Sequence, residues 1–523
     1  MLNLSNIQEV KNRLDTNNVR HFDNVGNSFR YFLTDIEVVQ FRHLTNLPIP
    51  FDHPITVITG PNKIGKTSVL LLIACSYENF LKMDSTSADA GVRQHMWRDV
   101  LEFTKYETTT SDYSYKLAWR VGTDERHGEG KRLASSKAWS GLGKKSADSS
   151  RINAKIKGRH VRLIDLERVL PLRNFSTRLL RKTEVAAKTR LNSDIETAFG
   201  YIFDSTGVEL YQIGSHVNKL CYLIKYPSQN QSYSSYNAAS GEEAVITILK
   251  DMLEAPVDSL ILIDEIEAGF HPSVQRKLAD VIHCISWRDK KQFIITSHSP
   301  TLISAFNQKS RKFIDIKNDG SLEVINKISK QAAFSKMDTQ AYPLVTLYCE
   351  DEEAEFLIKS VIISLSAGHK HFDRLINVIK SGPANEVKND YERHKRNFNQ
   401  MSSRIGFCCV FDGDYRTDPA YSSYYQNPSE FSAFIYPYKA PEKFLVEAFL
   451  QNHPNQQLNS ALTFIDHHSL FEKMVQLSLA QDVTDAKSQC FSSFRNQPEY
   501  MRFEADLEAF LINTVHHFSS LAD

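Results

Sequence analysis

The chain has 523 residues, too many for one ordinary hydrophobic core, so two or three domains are expected. Its formal net charge is zero, which excludes a global field steering it towards nucleic acid, and its 41% apolar content is that of a soluble globular protein. Seven scattered cysteines, none in a C-x-x-C pair, read as reduced thiols of a cytoplasmic protein, and no run approaches the roughly 18–20 apolar residues that cross a membrane.

The opening MLNLSNIQEVKNRL has helical spacing and lacks an apolar signal core. ITVIT at 55–59 is a β-branched run suited to a buried strand, and SVLLLIACSYENFL at 68–81 is apolar at helical spacing. Between them GPNKIGKT, 60–67, fits G-x-x-x-x-G-K-[ST] in the strand–loop–helix setting that a phosphate loop requires. Backbone N–H groups of the loop and helix start then point at phosphates. Lys66 reaches the outer phosphates, Thr67 offers its hydroxyl to Mg²⁺, and Gly65 leaves room for the backbone to approach. Gly60, Asn62 and Ser68 complete the expected ATP-binding set. Lys63 and Ile64 replace the small residues of many such loops, and a non-glycine residue is costly wherever φ is positive.

Residues 126–162 are rich in Lys and Arg, opposed only by Glu129 and Asp148. The stretch GLGKKSADSSRINAKIKGRH reads as a flexible loop, with a local contact to a nucleic-acid backbone as the alternative. Arg168, Arg173, Arg178, Arg181 and Lys182 extend the positive character into a helical stretch. SYSSYN at 232–237 reads as a loop. In NAASGEEAV, 237–245, Ser240 and Gly241 precede a helix running to about Leu253. An exposed helix start is an anion site, and an ordinary N-cap explains the same residues equally well.

SLILIDEIEAGFHP, 259–272, contains a buried strand that ends in Asp264, placed to hold Mg²⁺ through water. Glu265 follows and is positioned to polarise an attacking water. Two acids after four aliphatics would be expensive as unpaired buried charges, so a metal or water role is the better account. FIITSHSP, 293–300, is a third strand that ends in His298, a contact for the terminal phosphate or a surface loop residue.

After KISKQAAFS, 327–335, the pattern restarts. PLVTLYCEDEEAEFLIKSVI, 343–362, reads strand, acids, helix. IGFCCVFDGDYR, 405–416, reads as a strand ending in Asp412 and Asp414. Carboxylates at the C-terminal ends of parallel strands are well placed for divalent metal and, with two metals, for phosphodiester cleavage. The rest of the chain has helical spacing, and His467, His468, His516 and His517 show no metal-ligand spacing.

The order of phosphate loop, S-G-E, LILIDE and SH resembles the ATP-binding-cassette (ABC) ATPases of the SMC and Rad50 type, over roughly residues 30–120 and 200–320. IEVVQFRHLTNLPIPFDHPITVITGPN resembles the first hairpin of such heads. In those proteins two heads sandwich two ATP molecules. The resemblance implies that Ser240, Gly241 and Glu242 act on the partner's nucleotide and that Glu267 to His271 form the loop after the catalytic acid. Gln94 is a candidate for the glutamine loop, although a polar helix residue is the expected reading. DEIEAGFHP departs from the P-T-S-x-L-D of transporter ATPases, and no coiled-coil span separates the half-sites. DEIEAGFHP with TSHSP resembles the overcoming-lysogenization-defect (OLD) nucleases and related ATPases of bacterial antiphage systems. The C-terminal third resembles the TOPRIM fold of the OLD nucleases, with Glu350 as the first glutamate and Asp412 and Asp414 as the D-x-D. Asp351 stands where those families have glycine, Ala354 where they have a further acid, and Lys439 and Lys443 are candidates for a distal lysine.

The fold class so implied is α/β: an ABC/SMC/Rad50-type P-loop head (1–330, split by the basic insert at about 121–200), a TOPRIM-like domain (340–450) and a helical segment (451–523). The function it implies is a homodimeric ATPase, with ATP and Mg²⁺ as cofactors, controlling a nuclease. It most resembles the ATPase subunit of Septu-type antiphage defence (PtuA-like), whose partners are a separate HNH nuclease and nucleic acid, either DNA or the DNA–RNA hybrid (msDNA) of a retron. The alternatives are an OLD-type nuclease cutting with its own Glu350, Asp412 and Asp414, and an SMC-like DNA clamp.

Overall fold

A computed structural model describes all residues except 1, 23–27, 85–90, 96, 102–105, 107–110, 136–138, 143–155, 170–187, 217–218, 318, 338–341, 370, 402–403, 428 and 522–523. The chain divides into two compact units, Met1–Ala333 and Phe334–Asp523. Among the described residues, no helix is long and apolar enough to cross a membrane.

The first unit is built on an eight-stranded sheet. Its order is Leu322–Asn326, Arg311–Ile316, Ile55–Thr59, Gln292–Thr296, Leu260–Ile263, Ile156–Ile164, Tyr77–Asp84, Gly91–Gln94. The six middle strands pair in parallel and the two edges antiparallel. ITVIT, LILI and QFIIT are buried at every position. Strands covered on both faces need continuous apolar runs, which is why these segments lack alternation. The hairpin of Tyr31–Phe41 and Leu44–Pro50 joins a separate antiparallel sheet with Tyr113–Val121, Asp124–Arg132 and Trp139–Gly141.

Three local expectations need correction. The helix after the phosphate loop ends at Cys75, and Tyr77–Asp84 is a strand. The Ser76 hydroxyl contacts the Leu72 carbonyl (2.8 Å) and the Tyr115 hydroxyl (2.7 Å), closing the helix where Tyr77 and Phe80 turn inward to the sheet. The apolar run had hidden a helix-to-strand boundary, an ambiguity inherent in short apolar segments. Gln94 ends an edge strand rather than lying on a helix, and its amide donates to the Glu78 carbonyl (2.5 Å). SYSSYN begins inside the strand Gln231–Ser234.

The largest correction concerns the basic insert. Asp124–Arg132 is a hairpin strand and Ile156–Ile164 is an inner strand of the main sheet. Buried Arg159 donates to the Asp258 carbonyl (3.0 Å) and the Gln292 amide oxygen (3.1 Å), and Arg162 pairs with Asp251 at 3.4 Å. These cations serve the interior, Arg159 through its hydrogen bonds and Arg162 through its ion pair with Asp251. Residues 143–155, and with them most of the Ser/Gly/Lys stretch, lie outside the described residues, as do Arg173, Arg178, Arg181 and Lys182.

The second unit has a four-stranded parallel sheet in the order Ile376–Lys380, Val345–Cys349, Gly406–Phe411, Ser432–Phe434. Helices Glu352–Gly368 and Ala384–Asn397 cross between strands, and residues 441–521 are mainly helical. Its core draws on both parts, from Leu347 and Val410 in the sheet to Phe494 and Phe518 in the last helices.

Candidate functional site

In the first unit the phosphate loop links the strand Ile55–Thr59 to the helix Lys66–Cys75. Gly60 has φ 146°, and a Cβ there would stand 2.4 Å from the Ile314 carbonyl oxygen, so the close approach of the neighbouring strand demands glycine. Gly65 takes φ 95° against the Leu44 side chain. Lys63 has φ 64°, the left-handed conformation that strains a non-glycine residue. Asn62 and Thr67 are exposed, and Ser68 is buried in the first helical turn.

Lys66 is 7% exposed and donates to the carbonyls of Gly60 (3.1 Å) and Pro61 (2.9 Å). Burial lowers its pKa to about 8, while Asp264, Glu265 and Glu267 pull it up. The Thr67 hydroxyl donates to the Asp264 carboxylate at 2.9 Å, and the Thr296 hydroxyl donates to its other oxygen at 2.6 Å. The Glu265 N–H donates to the Thr296 hydroxyl (2.8 Å), and Glu265 has φ 44°. Glu267 accepts the His298 N–H through one oxygen, and its other oxygen is buried without a partner. Burial and Lys66 lower the His298 pKa, so its ring is neutral near pH 7. Three consecutive strand ends thus bring Lys66, Thr67, Asp264, Glu265, Glu267 and His298 into one polar site.

Arg168 was expected among surface cations and is instead 4% exposed. Its guanidinium donates to the carbonyls of Asp165 (2.7 Å), Asp264 (3.0 Å) and Glu265 (2.5 Å). It therefore holds the peptide that carries both acids. No local signal marked it, because the strand Ile156–Ile164 before it read as part of the basic insert.

Ser240 and Gly241 open the helix Ser240–Glu254, with Gly241 beside Gly269 of the turn after Glu265. The Glu242 carboxylate is engaged within its own chain by the hydroxyls of Tyr226 (3.2 Å) and Tyr233 (2.7 Å) and by the Ala239 N–H (3.0 Å).

The second unit gathers a different set. Glu350 follows the strand Val345–Cys349 and accepts the Asp412 N–H (2.9 Å) from the end of the strand Gly406–Phe411. Burial, with Asp414 and Asp351, raises the Glu350 pKa to about 7. Burial raises Asp412 well above the carboxylate range, reinforced by Glu350, Asp351, Glu442 and Asp414. Asp412 Oδ1 is buried without a partner. Sequence reasoning missed Glu442, 2% exposed, which lies between the two lysines considered in YKAPEKF. Lys439 is turned to Glu447 at 2.6 Å.

Residues 229–304, from the approach to Ser240 through Asp264, Glu265 and His298, match a family model described as "AAA domain, putative AbiEii toxin, Type IV TA system". Among solved structures the chain is similar to the SMC head domain from Thermotoga maritima, at 12% identity over 56% of this chain and 98% of that one, with a TM-score of 0.35. It is similar also to an SmcHead bound to the C-winged helix domain of ScpA, at 16% identity over 56% and 97%, with a TM-score of 0.36. A third is an Smc head with an extended coiled coil bound to the C-terminal domain of ScpA, derived from Pyrococcus furiosus, at 12% identity over 56% and 96%, with a TM-score of 0.34.

Proposed function

We propose that the first unit binds and hydrolyses ATP. The observation that carries this reading is the 2.9 Å hydrogen bond from Thr67 to Asp264, with Lys66 and Glu265 beside it. A hydroxyl and a carboxylate meeting at the mouth of a phosphate loop form an oxygen-donor set suited to Mg²⁺. Bound Mg²⁺ neutralises phosphate charge. Lys66 leaves the loop carbonyls for the outer phosphates, Glu265 orients the attacking water, and neutral His298 donates to the terminal phosphate. Ser240 and Gly241 complete the site of a second copy in an ATP-sandwich dimer, while Glu242 orders their helix start. Nucleotide binding and phosphate release by the purified chain, beside Lys66→Ala, test this; turnover that survives Lys66→Ala would overturn it.

The wider role is an antiphage ATPase that controls a nuclease effector, a separate HNH subunit, in response to DNA or a retron-type DNA–RNA hybrid. The motif order DEIEAGFHP…TSHSP supports this reading, and the family model matched by residues 229–304 is described as "AAA domain, putative AbiEii toxin, Type IV TA system". A neighbouring reading frame with an H-N-H motif, and co-purification of its product, would support the partner.

A second reading is favoured by the Glu350–Asp412 contact and the unpartnered Asp412 oxygen. Here the second unit is a TOPRIM-like, metal-dependent nuclease using Glu350, Asp412 and Asp414. Nicking of supercoiled DNA by the chain alone, lost in Asp412→Ala, distinguishes it from the first.

A further inference from the structure

Beside the Glu350–Asp412 pair the second unit holds a group of different chemistry. Glu442 lies in the first turn of the helix Pro441–Asn452, and His467 and His468 belong to the short turn His467–Ser469. A carboxylate oxygen of Glu442 and one ring nitrogen from each histidine all lie within 4.8 Å of one another. Asp351 also brings an oxygen within 4.8 Å of Glu442, as does Glu353, which is already paired with Lys487. The histidines show no ligand spacing along the chain because their third partner lies about 25 residues upstream, in another helix.

Two features point to a cation. Glu442 is 2% exposed; its Oε1 takes the His468 Nδ1 contact at 2.9 Å and its Oε2 is buried with no partner. Asp412, 6% exposed, likewise leaves Oδ1 unpartnered, and the charges that act most strongly on it are all carboxylates, Glu442 among them. Unpaired buried carboxylates are costly unless a cation joins them.

We propose that Glu442, His467 and His468 form a binding site for a divalent first-row transition metal, Zn²⁺ or Mn²⁺, with Asp351 as a further oxygen ligand. Two imidazoles with carboxylate suit these ions and disfavour Mg²⁺, which keeps oxygen ligands. Closing three atoms onto an ion at about 2.0–2.2 Å from each takes side-chain rotation. The proton between His468 and Glu442 leaves as the ion enters. His468 is 62% and His467 29% exposed, which gives the ion a path from solvent. The site stands whether or not Glu350, Asp412 and Asp414 cut phosphodiesters.

The test is titration of the full, chelator-treated chain with Co²⁺ by visible absorption and with Zn²⁺ by calorimetry, without nucleotide. One equivalent with nitrogen-ligand absorption is expected, weakened at least tenfold in Glu442→Gln and in His468→Gln, and unaffected by millimolar Mg²⁺. Metal-free melting of the variants checks their folding, and His467→Ala, at a half-buried position, carries the test if Glu442→Gln unfolds. No binding tighter than that of a His467→Ala/His468→Gln double variant overturns the proposal. So does binding that survives in the histidine variants and is lost in Asp412→Asn, which would put the ion among the carboxylates alone.

Discussion

The Thr67 hydroxyl and the Asp264 carboxylate meet at 2.9 Å although 197 residues separate them. Their strands are not direct neighbours in the sheet; Gln292–Thr296 lies between, and its Thr296 hydroxyl donates to the same carboxylate. Asp264 is thus held by the end of the neighbouring strand and by the first turn of the helix after the phosphate loop. Thr296→Val should leave Asp264 short of one donor and lower ATP turnover about tenfold, with a smaller change in nucleotide affinity. Steady-state kinetics against a binding isotherm would show that split.

Glu265→Gln removes the carboxylate that orients water and keeps its size. Hydrolysis should fall about 10²–10⁴-fold while ATP binding persists. Light scattering with ATP should then register a dimer, and a variant that stays monomeric with ATP bound would sink the sandwich arrangement.

Arg168 fastens the Asp264–Glu265 peptide through two carbonyls. Arg168→Met should cost about 1.5–3 kcal/mol of stability, the scale of a hydrogen bond to a charged group. It should also lower kcat, because Glu265 then loses support for its left-handed backbone. Arg168→Lys keeps the charge and loses the fork, so it should rescue solubility better than kcat. Equal turnover in all three proteins would make Arg168 a packing residue only.

Lys66 loses its proton near pH 8 in the folded chain and near 10.5 when unfolded. Between those values the unfolded state binds more protons, so stability of the nucleotide-free chain should climb as pH rises from about 8 to about 10.5. Lys66→Met should abolish that climb in urea midpoints taken across the window.

Glu350 shifts the other way, from 4.5 to about 7 on folding. Here the folded state binds more protons, so the metal-free second unit should lose stability as pH rises from about 4.5 to about 7. Asp412→Asn removes a buried carboxyl that faces several other acids and should raise the melting temperature in the absence of metal, by about 2–4 °C per kcal/mol for a unit of this size. Calorimetry of both proteins at pH 5 and pH 7.5 checks the sign.

The sequence by itself determined the strand ends that carry Lys66, Thr67, Asp264, Glu265 and His298. A parallel strand buried on both faces must be a continuous apolar run, and the first polar residue after it marks where the chain leaves the core. The same logic located Glu350 and Asp412. What only the tertiary structure decided were partnerships across long separations. Arg159, Arg162 and Arg168 read as a surface patch because charge is additive along a sequence, whereas burial depends on whether the fold supplies an acceptor. Glu442 looked like one acid between two lysines, and His467 and His468 like an unpatterned pair. Helix packing, which no local spacing encodes, brings them together.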